Sequence, residues 1–164
     1  METLEVTKAN AIKAFQSADA KGKKLLTDLY GEKTFTEKIT DRIKTFGDVL
    51  RALPTIPQNV GILLSYNGTD KDMIGARAFM QITLIARVLN EGWEPDWTNS
   101  SEWKYYPWLK FKTGVGFSDS VFGNSYASAT VGSRLCYKTS ELAEYAGTQF
   151  QSIYNDFLLT NPIY

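Results

Sequence analysis

The segment that decides the fold is GWEPDWTNSSEWKYYPWLKF, which runs from Gly92 to Phe111 and contains all four tryptophans of the chain. Tyr105, Tyr106 and Phe111 add three further rings. Aromatic side chains bury a large area per residue and dominate both cores and interfaces. A cluster of this density is therefore either the centre of the core or a contact surface, and the sequence leaves both alternatives open.

The second half of this segment predicts a strand, because its side chains alternate between two faces from Trp103 to Phe111. Pro107 has no N–H to donate to a ladder, which predicts an edge strand or a bulge. The glycine- and serine-rich stretch from Thr113 to Ser128 predicts a long excursion between strands. The stretch from Ala129 to Lys138 predicts the return strand of a hairpin.

Helical periodicity dominates the first half of the chain. The strongest helix is predicted from Asp70 to Glu91, with Thr69 at its start and Gly92 at its end. The secondary structure of two regions is not decided by the sequence. Thr36 to Leu53 fits one helix or two short ones, and Asn59 to Gly68 is ambiguous.

The sequence also predicts one helical region near the N-terminus and one near the C-terminus. A first helix begins after Thr7 and ends before Gly31, with a break expected at Gly22. Thr139 or Ser140 caps a final helix.

The order of these elements predicts an α+β fold with four or five helices packed around an antiparallel β-hairpin or small sheet. The length of 164 residues suits a single domain, 1–164. Within it we expect a helical part at about 7–91, the tryptophan-rich segment and hairpin at about 92–138, and a C-terminal helix at about 140–159.

Composition excludes several kinds of chemistry. The chain has no histidine, which removes Ser-His-Asp and Cys-His catalysis and histidine metal ligands. The lone cysteine, Cys136, makes neither an internal disulfide nor a cysteine zinc site, and without a histidine base it is expected to be a small apolar strand residue. We therefore predict no cofactor, no metal site and no catalytic residue.

Charge and hydropathy suggest where the chain acts. Lysine plus arginine balance aspartate plus glutamate at 18 each, so no global field draws the protein to nucleic acid or to an anionic membrane. The N-terminus lacks a basic region leading into an apolar run, and no apolar run is long enough to span a bilayer. We expect a cytoplasmic protein without a membrane partner.

One face of the predicted hairpin interleaves rings with cations, which is the pattern of a single-stranded nucleic-acid platform. A nucleotide or a protein partner is an alternative ligand. A purely structural interpretation is also open, with the rings in the core and the lysines extended to water. The predicted ligand-binding residues, the last two of them placed on the return strand, are Lys104, Tyr106, Trp108, Lys110, Lys112, Arg134 and Lys138.

Four carboxylates surround the first two tryptophans: Glu91, Glu94, Asp96 and Glu102. Paired carboxylates serve glycoside hydrolysis or hold a divalent metal. A solvated turn with helix-end charges explains the same spacing, and we rank a carboxylate-dependent metal enzyme last.

Several phrases of the sequence resemble a family of phage and prophage proteins from gut bacteria that has no established activity. The phrases run from Leu89 to Trp97, Lys104 to Trp108, Val131 to Lys138 and Ser140 to Gly147, and shorter ones from Lys21 to Leu26 and Asp41 to Phe46. The resemblance implies a viral origin and action inside a bacterial host or in a virion.

Together these features favour a non-enzymatic, phage-encoded binding module in the host cytoplasm. Its ligand is expected to be single-stranded nucleic acid or a nucleotide, in phage replication or in counter-defence, and a phage or host protein is an alternative partner. The second hypothesis is a structural or assembly protein of the virion. The sequence does not fix the oligomeric state.

Overall fold

The computed structural model describes residues 6–36, 38–112, 116–125 and 132–159. These residues form nine helical segments and one two-stranded antiparallel sheet, which confirms the α+β class. The helix count exceeds the predicted four or five because several predicted helices are broken. Packing divides the chain into two compact units, one ending at Arg42 and the other beginning at Ile43. The single-domain assignment stays a prediction.

The first unit contains α1 (Lys8–Ser17), α2 (Ala20–Tyr30), α3 (Lys33–Thr36) and α4 (Ile39–Arg42). Thr7 caps α1 as predicted, and its hydroxyl accepts the Asn10 N–H at 3.3 Å. The predicted break falls earlier than Gly22, because Asp19 starts a new helix by accepting the Gly22 N–H at 2.8 Å. Phe15 and Phe35 stack with ring centroids 4.2 Å apart, which ties α1 to α3.

The second unit begins with α5 (Phe46–Ala52) and α6 (Gln58–Leu64). Thr45 and Asp48 form a capping box, so the region from Thr36 to Leu53 adopts the broken alternative. Three donors reach the Asp48 carboxylate from Thr45 and Lys44. The hydrogen bond from the Thr45 hydroxyl is the largest cause that lowers its pKa to about 2. The ambiguous stretch from Asn59 onward is helical as α6.

Helix α7 (Lys71–Leu89) is the central helix of the second unit. Asp70, not Thr69, is its cap and accepts the Met73 N–H at 2.9 Å. Residues on both sides of its helical wheel are buried, as expected for a helix covered by neighbours: Ala78, Ile82, Thr83, Leu84, Ile85, Ala86 and Leu89. Gly92 follows with a φ of +87°, a left-handed conformation that glycine adopts without strain.

The sheet pairs β1 (Lys104–Lys112) with β2 (Gly116–Ser125). The assignment of Thr113 to Ser128 as an excursion is therefore wrong for Gly116–Ser125. Glycine, serine and asparagine have low strand propensity, and cross-strand packing on β1 overrides it here. Of the two alternatives that Pro107 left open, an edge strand or a bulge, the two-stranded sheet of the described residues makes β1 an edge strand, and a register shift also occurs between Lys110 and Phe111.

The predicted return strand from Ala129 to Lys138 is also wrong in its described part. Residues 132–138 form a turn and one isolated bridge, in which Tyr137 exchanges backbone hydrogen bonds of 3.0 and 2.7 Å with Tyr105. The remainder, residues 129–131, lies outside the described residues. The pairing partner of β1 comes instead from the stretch that immediately follows it.

The C-terminal part forms α8 (Ser140–Gln149) and α9 (Gln151–Leu158), separated at Phe150. Thr139 caps α8 by accepting the Leu142 N–H at 3.3 Å. Helix α8 packs against both strands of the hairpin, and α9 packs against α7. Asp156, which interrupts the apolar stripe of α9, lies 3.3 Å from the Arg77 guanidinium of α7.

Candidate binding surface on the hairpin

The loop before the hairpin is built around the ammonium group of Lys104. This group is 1% exposed and donates hydrogen bonds to the carbonyl oxygens of Asp96, Asn99 and Glu102, the last two at 3.1 and 2.8 Å. The Glu102 carboxylate lies 3.2 Å away and the Trp97 ring centroid 5.4 Å away. Lys104 is thus fully engaged inside the protein and is not a ligand contact.

The carboxylates of this loop hold its backbone. Asp96 accepts hydrogen bonds from the Thr98 hydroxyl and N–H, and these two bonds are the largest causes that lower its pKa. Desolvation raises the pKa of Glu102, but donors from Asp96, Lys104 and the Trp93 side chain outweigh it, so the net shift is downward. Both groups are ionised anchors of the loop at neutral pH.

The tryptophan cluster divides into two pairs. Trp93 and Trp97 are half-buried in the loop, where Trp93 donates to Glu102 and the Trp97 indole N–H donates to the Ser133 hydroxyl at 2.7 Å. Trp103 and Trp108 are 45% and 58% exposed. The first pair is half-buried in the loop and the second is exposed, so no tryptophan lies in the centre of the core. The contact-surface alternative stays a prediction.

The side chain of Asn90 joins α7 to the segment that bridges β1. Its amide N–H donates to the Cys136 carbonyl at 2.8 Å, and its amide oxygen accepts the Lys138 N–H at 3.0 Å. Asn90 is buried, so these bonds satisfy groups that water does not reach. The ammonium group of Lys138 lies 3.5 Å from the Glu91 carboxylate.

Three titratable groups lie in the core behind this segment. Burial raises the pKa of the Cys136 thiol to about 11. Burial also raises the pKa values of Tyr137 and Tyr154, whose hydroxyl oxygens are 3.1 Å apart. These groups are neutral at physiological pH, and Cys136 is buried as predicted but does not lie in a strand.

One face of the hairpin carries Tyr106, which is half-buried, and Trp108 and Lys110, which are exposed. The Tyr106 ring covers Gly123, the residue opposite it on β2, where an added Cβ would lie 2.6 Å from the ring carbon Cζ. The Tyr106 and Trp108 rings follow each other along the strand, with centroids 6.5 Å apart at 49°. Lys110 is exposed two residues further on. We refer to these three residues as the aromatic face.

The structure brings together three of the seven predicted ligand-binding residues. Lys104 is buried, and the side chain of Lys112 lies outside the described residues. Arg134 and Lys138 belong to the turn and bridge, not to a strand opposite the aromatic face. The partners that do stand opposite are Gly123, Val121 and Asp119. Of the predicted cations whose side chains are described, Lys110 alone remains on this face.

Sequence reasoning missed residues on β2 and a cleft away from the hairpin. Position 123 requires glycine because the Tyr106 ring lies directly over it. In the sequence, the indication of such a close approach was a glycine within a stretch of alternating side chains. The cleft has a volume of about 180 Å³ and is lined by parts of α6, α7, the loop before α6 and the 132–135 turn. Its two charged lining residues are Arg87 and Arg134. No local pattern connects them, because they are 47 positions apart in the sequence.

Over the described ranges, no three or more cysteine, aspartate or glutamate side chains converge in a way that could hold a metal ion. Within the same ranges, no helix has both the length and the apolar character needed to cross a membrane.

Comparison with protein-family models, with curated proteins and with solved structures gives no match. The resemblance to phage proteins therefore stays a prediction.

Proposed function

We propose that this protein is a non-enzymatic binding module that contacts single-stranded nucleic acid through its aromatic face. The observation that carries the proposal is the exposure of Trp108, 58%, beside the Tyr106 ring on the same strand. Exposed rings in series stack on successive bases without regard to sequence. Lys110, two residues beyond Trp108, is placed to contact a phosphate.

The geometry sets an expected strength. Stacking contributes roughly 1–3 kcal/mol per base, so two rings supply roughly 2–6 kcal/mol. A dissociation constant on the order of 0.1 mM or weaker follows for a short oligonucleotide. With one cation on the face, the affinity should fall only about threefold between 50 and 200 mM salt, since the slope for single strands is about −0.7 per phosphate neutralised.

The biological setting of the proposal rests on the resemblance to phage and prophage proteins. From it we expect the module to act in the cytoplasm of an infected bacterium, in phage replication or in counter-defence. The neutral net charge supports a contact that depends on stacking rather than on long-range attraction.

Fluorescence anisotropy of a labelled eight-residue oligothymidylate tests the proposal. We expect Trp108→Ala to weaken binding by about fivefold or more, the equivalent of one stacked base. Trp103→Ala is the matched control, because Trp103 is similarly exposed but precedes the strand. Binding that is equally strong in wild type and Trp108→Ala would overturn the proposal.

The second candidate function is a structural or assembly role in the virion. Its specific support is the exposure of Phe111 and Phe122, 55% and 40%, on the same hairpin as Trp108. Exposed apolar side chains in one region mark protein contact surfaces. Sedimentation equilibrium tests this role: concentration-dependent association that Phe122→Ser abolishes favours assembly, and a monomer at all concentrations contradicts self-assembly.

A further inference from the structure

We propose that the cleft beside α7 is a second, independent binding site, for a small organic anion whose apolar part is one ring. The cleft is lined by eight residues with mainly apolar surfaces and by two arginines: Thr55, Ile56, Pro57, Val60, Phe79, Met80, Thr83, Leu84, Arg87 and Arg134. None of these residues belongs to the hairpin. The inference therefore does not depend on the proposed function.

The two arginines are the charged residues of the cleft lining, and both are exposed. Elsewhere in the described part of the chain, Arg51 pairs with Asp48 and Arg77 with Asp156. Over the same part, Arg87 and Arg134 form no ion pair or hydrogen bond with another residue. Guanidinium groups bind carboxylates and phosphates through a planar fork of donors.

Helix polarity explains the position of one arginine but not of both. Arg87 lies in the last turn of α7, where a cation is favoured by the helix dipole. Arg134 belongs to the turn at residues 132–135, which has no such dipole. Its place is fixed by the neighbouring Ser133, whose hydroxyl accepts the Trp97 indole N–H. Two unrelated elements thus each contribute one arginine to the lining of the same cleft.

The volume limits what the cleft accepts. An apolar cavity of roughly 150 Å³ holds one benzene molecule, so about 180 Å³ accommodates one ring with little to spare. The Thr83 hydroxyl, which lines the cleft, is already bonded to the Phe79 carbonyl at 3.0 Å. The walls therefore favour an apolar ring, and the arginines favour a carboxylate or phosphate attached to it.

Isothermal titration with four probes tests the site: phenyl phosphate, benzoate, inorganic phosphate and benzyl alcohol. We expect phenyl phosphate or benzoate, or both, to bind saturably, and the two probes that lack the ring or the charge to bind at least about tenfold more weakly, the equivalent of one charge-assisted hydrogen bond. The comparison of phenyl phosphate with benzoate identifies which anionic group the arginines select. The proposal would be overturned if neither phenyl phosphate nor benzoate bound at a probe concentration of about 10 mM, a concentration that would detect even a weak site.

Variants locate the binding. Arg87→Gln and Arg134→Gln should each weaken it at least about fivefold, while Arg51→Gln, which removes the same charge outside the cleft, should leave it unchanged. Val60→Phe keeps both arginines but fills the cleft, and should abolish binding of the ring. Circular dichroism melts confirm that each variant is folded. Binding that survives both arginine substitutions and Val60→Phe would contradict a site in this cleft.

Discussion

At the residue scale, Lys104 illustrates how a charged side chain becomes part of a core. Its ammonium group meets three backbone carbonyls, one carboxylate and one indole ring, so its charge is compensated at almost every donor position. Burying an ammonium without such partners would cost several kcal/mol. The loop at residues 96–102 keeps its shape because its carbonyls converge on this group.

Replacement of Lys104 by methionine should therefore destabilise the protein strongly. The three carbonyls and the Glu102 carboxylate would lose their shared donor, and we expect a loss of about 3 kcal/mol in the free energy of unfolding. Lys110→Met is the matched control, since Lys110 is exposed on the same strand, and should change stability by less than about 0.5 kcal/mol. Urea denaturation that gives equal effects for both substitutions would contradict the role assigned to Lys104.

Cys136 predicts a pH dependence at the alkaline end. Burial raises its pKa from 9.0 to about 11, so the folded state favours the neutral thiol. A raised pKa contributes stability that is complete below pH 9 and is lost as the pH rises toward 11. Between pH 8 and 10.5 the wild type should lose about 2 kcal/mol more than Cys136→Ala in urea denaturation. Parallel pH profiles for the two proteins would show that the thiol is not shielded in this way.

At the element scale, the contact between α8 and the hairpin depends on Gly147. A Cβ added there would lie 2.8 Å from Cβ of Ser120 and 3.0 Å from Cβ of Pro107. This approach seats the helix on both strands, because Ser120 belongs to β2 and Pro107 to β1. It also leaves the opposite face of the hairpin, with Tyr106 and Trp108, uncovered by α8.

Gly147→Ala should destabilise the protein although alanine is the better helix former. Overpacking typically costs about 1–3 kcal/mol, which exceeds the gain of about 1 kcal/mol in helix propensity. Gly61→Ala in α6 is the matched control, since an added Cβ there meets no atom within 4 Å, and it should stabilise by up to about 1 kcal/mol. Thermal melts in which both substitutions raise the midpoint would refute the close packing at Gly147.

The helix boundaries that the sequence predicted well depend on local chemistry. Thr7 and Thr139 cap helices through hydrogen bonds formed within a few residues. Helix α7 ends at Leu89, two residues before the predicted end at Glu91, and Gly92 follows the C-cap Asn90 with a positive φ. The choice at Thr36 to Leu53 stayed open because a capping box and a continuous apolar seam occupy the same residues. Only the three-dimensional arrangement decides which of the two prevails.

The strand pairing and the candidate surface were harder to predict because they depend on contacts between distant segments. The stretches 116–125 and 129–138 each contain three strand-forming residues, but the first contains four glycine, aspartate or asparagine residues and the second one, so propensity selected the wrong partner for β1. Lys104 and Lys110 occupy the same face of the alternating pattern, yet the loop at 96–102 encloses one and not the other. The cleft requires Arg87 and Arg134 to meet, which no local pattern encodes.

At the scale of the whole molecule, the charge balance decides what salt dependence the proposed contact should have. The chain carries 18 basic and 18 acidic side chains, and Asp119 stands opposite Lys110 in the sheet register. A protein that binds nucleic acid mainly through phosphates would show a basic surface and a steep salt dependence. For the proposed contact we expect neither, because the rings of the aromatic face would supply most of the binding free energy.

The measurement that tests this account most directly is fluorine NMR of the protein labelled with 5-fluorotryptophan, titrated with the eight-residue oligothymidylate. Each of the four tryptophans gives a separate reporter, assigned by single substitutions to phenylalanine. We predict that the Trp108 resonance shifts saturably while that of Trp97, whose indole N–H is bonded to Ser133, stays in place. A titration in which no resonance moves, or in which Trp97 shifts and Trp108 does not, would contradict the assignment of the aromatic face as the binding surface.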